Sequence, residues 1–237
     1  MNKKMRNLLL SLLSCLLIFV ITYHEDEINI LVSKLSGNYI YYGVDDVPKY
    51  SGESYVYIND NKPVFKSEDY KIKNNEHYSE LDYLGRAGTA TALVSIDTMP
   101  TEERGSIGSV KPTGWHTIKY DIVDGKYLYN RCHLIGYQLT GENANEKNLI
   151  TCTRSMNTGV MLEYENKIAE YVKETNNSVL YRVTPIYEKD NLLASGVKME
   201  AMSIEDNGVG ISFNIFVFNV QNGIKIDYKT GKSSLSE

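Results

Sequence analysis

Two stretches of the chain carry residue types that packing alone does not call for. In the segment 161–173, Met161, Glu165, Ile168 and Val172 recur at helical spacing. The neighbours of Glu165 three and four positions away are Met161, Leu162, Ile168 and Ala169, so its carboxylate shares the stripe that faces a core. Glu170, set among Asn166, Lys167, Lys173 and Glu174, has an ordinary solvated environment by comparison. A carboxylate on a buried face is costly unless a cation, a metal or a hydrogen-bond donor meets it. The plain alternative is an edge position from which Glu165 reaches water.

The second stretch is Arg131-Cys132-His133, at the end of a short apolar strand. An arginine two residues before a histidine can set a fixed cation beside an imidazole. Guanidinium grips a phosphate through paired hydrogen bonds, and a neutral imidazole can take the proton of an attacking water. That combination suits cleavage of a phosphodiester. His24, His77 and His116 lie in no comparable setting. Between the two stretches stands Asn157, just before the expected helix, where an asparagine by itself reads as an N-cap.

These residues need a scaffold, and the pattern supplies one. Short strands are expected at Tyr39–Tyr42 and Tyr55–Ile58, a helical piece at Tyr78–Leu84 ending at Gly85, and a strand at Thr91–Ile96. Met99–Trp115, with its prolines and glycines, reads as a structured loop, followed by a strand at Tyr127–Tyr129 that runs on to His133. A strand at Leu149–Thr151 and a helix at Met161–Lys173 come next. Ser178–Tyr187, Val197–Ile204 and Ile211–Val220 close the chain as long strands, the last two joined by an Asp206-Asn207-Gly208 turn. Long strands with short connections imply an antiparallel meander. The absence of repeats and low-complexity linkers makes 38–230 one α+β domain, followed by a tail at 231–237.

Lys3, Lys4 and Arg6 precede an uncharged run from Asn7 to Tyr23. Basic residues before an apolar run mark an export segment, so 1–24 reads as a signal peptide or an N-terminal membrane anchor, and 25–37 as a connector. Either form leaves the basic end inside and the domain outside. Cys132 and Cys152 are then the cysteines of the exported part. Outside the cell they could pair or remain as free buried thiols. Together with His133 and His116 they make a poor zinc site, because adjacent Cys132 and His133 do not easily face one ion. A net charge of −5 weighs against a protein that packages or regulates DNA, whose affinity would come from neutralising phosphates. An enzyme that releases its product needs only a local positive site and a divalent cation.

Taken together, a strand ending at His133, a strand opening after Asn148, Asn157 nine positions later and Glu165 eight beyond resemble the ββα-metal, or His-Me finger, nucleases. More closely the chain resembles the DNA/RNA non-specific endonuclease family, including its secreted and membrane-anchored streptococcal-type members. The likeness extends to Leu84-Gly85-Arg86-Ala87-Gly88, Val110-Lys111-Pro112-Thr113-Gly114-Trp115 and Tyr181-Arg182-Val183-Thr184-Pro185. Where the family has D-R-G-H, this chain has Asn130 and Cys132 in place of the aspartate and the glycine.

The resemblance implies a ββα-metal motif packed on a central antiparallel sheet. It further implies one Mg²⁺, replaceable by Mn²⁺, held directly by Asn157 and otherwise by water. His133 inherits the role of general base, Glu165 that of holding metal-bound water, and Arg131 that of phosphate clamp. Asn148 is expected to orient the site and adjoin the substrate, and Arg104 to stabilise the transition state, with Lys111 behind it; as loop residues both basic side chains could equally be solvated charge. The implied substrates are DNA and RNA, held through the phosphate backbone with little sequence preference and cut to leave 5′-phosphate ends. The competing reading is a catalytically inactive surface module of the same fold that only binds nucleic acid.

Overall fold

The computed structural model describes residues 49–236; the expected export segment, the connector and the Tyr39–Tyr42 strand lie outside them. Among the described residues no helix is long and apolar enough to cross a membrane. The central element is a six-stranded antiparallel sheet. Its strands are β1 (Tyr55–Tyr57), β2 (Glu76–Tyr78), β3 (Ala90–Val94), β6 (Val179–Ile186), β7 (Gly196–Ser203) and β8 (Ser212–Phe218), in the order β1-β8-β7-β6-β3-β2. β4 (Tyr129–His133) and β5 (Leu149–Thr153) pair separately as a hairpin, and β9 (Ile224–Ile226) pairs with β10 (Ser233–Leu235). The stretch expected as a tail therefore ends in a strand, turned back by Asp227, whose carboxylate caps Lys229 N and Thr230 Oγ1.

Alternation along β6 and β7 decides what each face of the sheet does. Val179, Tyr181, Val183, Val197, Met199 and Ala201 point into the main core, where they meet Met161, Tyr164, Ile168, Ala169 and Val172 of the long helix. The intervening positions, Arg182, Lys198 and Glu200, are also buried. They form a charge network: Glu200 Oε2 lies 3.0 Å from Arg182 and 3.1 Å from Lys198, and Arg182 reaches Asp69 at 3.0 Å. Buried charges persist where partners satisfy them, and Val64 N completes the set by donating to Glu200 Oε1 at 2.9 Å.

The helical piece expected around Tyr78–Leu84 does not form. Tyr78 ends β2, and Asp82 Oδ1 accepts from Leu84 N and Arg86 N, both at 2.9 Å. A short acidic side chain that bonds the nearby backbone offers an alternative to helical hydrogen bonding. Gly85, at φ 76°, then takes the left-handed position of the turn.

The β4–β5 hairpin is tied to the rest of the molecule at several points. Cys132 and Cys152 are joined across it by a disulfide, with Cα atoms 5.9 Å apart. From the end of β8, Asn219 Oδ1 accepts from Thr153 N at 2.8 Å, and its Nδ2 donates to Ala194 O at 2.9 Å. Thr153 caps the helical run that follows, its hydroxyl accepting from Met156 N. Cross-linking a loop of this length is worth about 3 kcal/mol, chiefly through the unfolded chain. Replacing both cysteines by alanine should lower the unfolding free energy by about that amount, measured by denaturant titration, and make stability insensitive to reductant.

Candidate active site

His133 closes β4, and the chain turns sharply after it. Asn148 makes that turn possible. Its Oδ1 accepts from Ile135 N at 2.9 Å and its Nδ2 donates to Ile135 O at 3.0 Å. With Leu134 N bonded to Asn148 O at 2.8 Å, the two strand ends lock together. Asn148 is fully buried, and these two bonds commit its carboxamide to the turn. Its place is behind the histidine, holding the turn.

The imidazole of His133 is 7% exposed. Nε2 lies 2.7 Å from the carbonyl oxygen of Asn143 and Nδ1 lies 3.3 Å from Arg104 Nη2. A carbonyl can only accept, so Nε2 carries the proton and Nδ1 keeps its lone pair. Burial pushes the pKa down to about 4; the Asn143 carbonyl opposes that shift and the Arg104 charge adds to it. The ring is therefore neutral across the physiological range, the form a base requires.

The cation beside the imidazole is thus Arg104, from the loop before β4, and not Arg131 as the sequence suggested. Arg131 shares a strand face with His133, but two residues span roughly 6–7 Å, and other groups capture its guanidinium. Nε donates to Val110 O at 2.5 Å, Nη2 donates to Gly108 O at 3.1 Å, and the group lies 4.0 Å over the Trp115 ring. Arg104 is placed by its own loop. Tyr137, in a short helix α1 (Tyr137–Thr140), donates to Glu102 O at 2.9 Å, and a Cβ at Gly105 would lie 2.8 Å from Asn143 Nδ2. The Arg104 loop thus packs against the side chain of the residue whose carbonyl holds His133.

After β5 the chain enters one helical run: α2 (Arg154–Met156), a π-helical turn at Asn157–Met161, and α3 (Leu162–Thr175). Asn157 has helical angles, φ −65° and ψ −50°, and sits inside the run. Thr153 is the cap, so the N-cap reading of Asn157 fails. Its side chain makes no hydrogen bond among the described residues. A π-turn in an otherwise α-helical run is a common feature of functional sites.

Glu165 is on the buried face, as its neighbours foretold, and 7% exposed. Its carboxylate accepts from the backbone N–H of Gly136, yet Oε1 has no hydrogen-bond partner among the described residues. Burial raises its pKa to about 8, against the smaller opposing effects of the Gly136 amide and Arg104. A Cβ at Gly136 would overlap the carboxylate.

These groups meet in one cavity of about 370 Å³, lined by Arg104, His133, Gly136, Arg154, Asn157 and Glu165 among others. Among the described residues no three His, Cys, Asp or Glu side chains converge as a metal cluster, and the disulfide uses both candidate thiols of a zinc site. What the cavity offers a cation is one free carboxamide oxygen and one under-bonded carboxylate. That set suits a hard ion that keeps most of its water, as magnesium does. Sequence reasoning missed Arg154, Gly136 and the Asn143 carbonyl. Arg154 stood in plain view three residues before Asn157; the other two act through backbone and carry no side-chain signal.

Comparison with known proteins identifies the family and the fold. Residues 66–205 match the family model described as DNA/RNA non-specific endonuclease. Among solved structures, NucA from Streptococcus agalactiae with magnesium ion bound superposes with a TM-score of 0.71 at 23% identity, covering 88% of this chain and 96% of that one. The Sda1 nuclease with bound zinc ion gives a TM-score of 0.58 at 28% identity, covering 68% and 82%. An extracellular endonuclease gives 0.55 at 20%, covering 79% and 100%.

Two outcomes are expected. Glu165 holds its proton more tightly folded than unfolded, so it stabilises the fold most below its unfolded pKa and loses that contribution as pH rises toward 8. His133 binds its proton less tightly when folded, and its contribution is lost only as pH falls from about 6.5 toward 4. Between pH 6.5 and 8, then, the metal-free protein should lose stability at up to about 1.4 kcal/mol per pH unit. Thermal melts should show that slope, and Glu165→Gln should abolish it. Separately, Gly136→Ala should displace the carboxylate and lower catalytic rate at least tenfold, while the far-ultraviolet circular dichroism spectrum stays unchanged.

Proposed function

The chain belongs to the DNA/RNA non-specific endonuclease family, and from that membership we propose an exported, Mg²⁺-dependent endonuclease that cuts DNA and RNA with little sequence preference. The observation that carries the reading is the convergence of His133, Arg104, Asn157 and Glu165 on one cavity, with the imidazole neutral and its Nδ1 lone pair turned inward.

His133 acts as general base at Nδ1. The Asn143 carbonyl fixes the tautomer and steadies the charge that the ring gains on accepting a proton. In the free protein Nδ1 faces the Arg104 guanidinium at 3.3 Å. A bound phosphate offers Arg104 a stronger, paired contact, which draws it off the ring and leaves the lone pair to an attacking water. Arg104 then stabilises the phosphorane-like charge, and Arg131 and Arg154 hold flanking phosphate from the other side. Asn157 would hold the divalent cation directly and Glu165 would accept hydrogen bonds from its water shell. When bound, that cation supplies stabilisation of the negative charge that develops on the phosphate and leaving oxygens.

Attack by water opposite the 3′ oxygen leaves 5′-phosphate ends. Contacts confined to phosphate and sugar carry little sequence information, which fits a site lined by arginine rather than by base-reading groups. Mg²⁺ is the preferred ion, with Mn²⁺ as a substitute; the magnesium in the similar streptococcal NucA and the poor fit to a closed zinc cluster support it. The basic and apolar residues at 3–23, and the extracellular description of one similar nuclease, support export, with the first 24 residues removed or kept as an anchor.

The test is a fragment starting near residue 25, incubated with supercoiled plasmid. Nicking is expected with Mg²⁺, none with EDTA, and a fall of roughly 10²- to 10⁴-fold in His133→Ala, the usual range for a lost general base. Retardation of plasmid without any nick would instead favour the inactive binding module.

A further inference from the structure

Next to the cavity that holds His133 lies a second chamber of about 450 Å³, and the two share Arg104, Arg154 and Asn157. The cleavage step makes no use of its far wall, which includes Trp115, Tyr127 and Ile107. Its size falls within the roughly 300–1,000 Å³ typical of small-molecule sites.

The wall is aromatic and the surroundings are cationic. Tyr127 is 46% exposed and is fixed in place by an isolated bridge to Lys119, whose Nζ lies 4.5 Å over the ring. Arg131 covers Trp115. Asn130 lines the same chamber, and its Nδ2 is buried with no hydrogen-bond partner among the described residues. That Nδ2 is closed off from solvent, so Asn130 meets the chamber through its other atoms. An aromatic platform beside an arginine matches one chemical class, a planar heterocycle carrying a phosphate.

Resting on the nuclease reading above, we propose that this chamber is a subsite for one unstacked nucleobase of the strand being cut, adjacent to the scissile phosphate. Tyr127 and Trp115 form its walls, and Arg154 holds that nucleotide's phosphate. Arg154 is available because its partner Asp124 is an exposed surface carboxylate, a contact that a phosphate readily replaces. Every base has a π face, so such a subsite tolerates all sequences. A base inside a duplex must leave its stack to enter, so single strands are cut faster than duplex of the same sequence.

The chain has one tryptophan, Trp115, and its fluorescence reports occupancy directly. The metal-free full chain is titrated with thymidine 5′-monophosphate, deoxyribose 5-phosphate and inorganic phosphate, with excitation beyond nucleotide absorbance. Saturable quenching is expected with the nucleotide, at least about 5-fold tighter than with the sugar phosphate, the lower bound for one base–aromatic stack. Tyr127→Ala should weaken nucleotide binding by about 5-fold or more, and Tyr127→Phe should restore it. Equal affinity for nucleotide and sugar phosphate, no saturable response, or an unaffected Tyr127→Ala would each overturn the proposal. A protein that nicks plasmid with Mg²⁺ yet gives no nucleotide response loses the subsite and keeps the nuclease reading. One that binds nucleotide here but never cuts does the opposite.

Discussion

A carboxylate held out of water with one oxygen unpaired is the constraint around which the site is arranged. Glu165 sits on the core side of α3 because its neighbours at helical spacing are apolar, and burial favours its protonated form. Nothing on the protein side removes that cost completely: the Gly136 amide helps, the Arg104 charge helps, and Oε1 still lacks a partner. A hydrated cation would remove it. The fold therefore leaves an incompletely bonded carboxyl group on the wall of the cavity that also holds His133.

The same logic explains the close packing around the histidine. His133 and Glu165 come from different elements, a strand end and a helix, and must be brought together by rigid parts. Asn148 spends its whole carboxamide on the turn after His133, the disulfide ties the two strands of the hairpin, and Thr153 and Asn219 fix where the helix leaves the hairpin. Gly136 and Gly105 are small because a carboxylate and an asparagine press on them. None of these residues touches a reacting atom, yet each limits how far a catalytic one can stray.

The substitutions in the family's D-R-G-H motif take on a physical meaning in this setting. Cys132, where a glycine is usual, has its side chain in the main core and bonded to Cys152, away from the chamber. Asn130, where an aspartate is usual, removes a negative charge from a wall that also carries Arg104, Arg131 and Arg154.

Much of the site was legible in the chain. Periodicity placed Glu165 on a buried face, and the family resemblance carried by His133, Asn148, Asn157 and Glu165 implied a hairpin followed by a helix. The meander of β6, β7 and β8 followed from long alternating runs with short turns. Local chemistry misled where one side chain overrode the pattern: Asp82 made a turn of an expected helix. What the linear order could not reveal was which arginine stands beside the imidazole. Arg131 is two residues from His133 and Arg104 is far earlier in the chain, yet Trp115 and two loop carbonyls claim the first while Tyr137 and Gly105 deliver the second. Sequence patterns report burial and element type because these depend on near neighbours. The partner of a given charge depends on contacts between distant loops, and only the folded chain decides those.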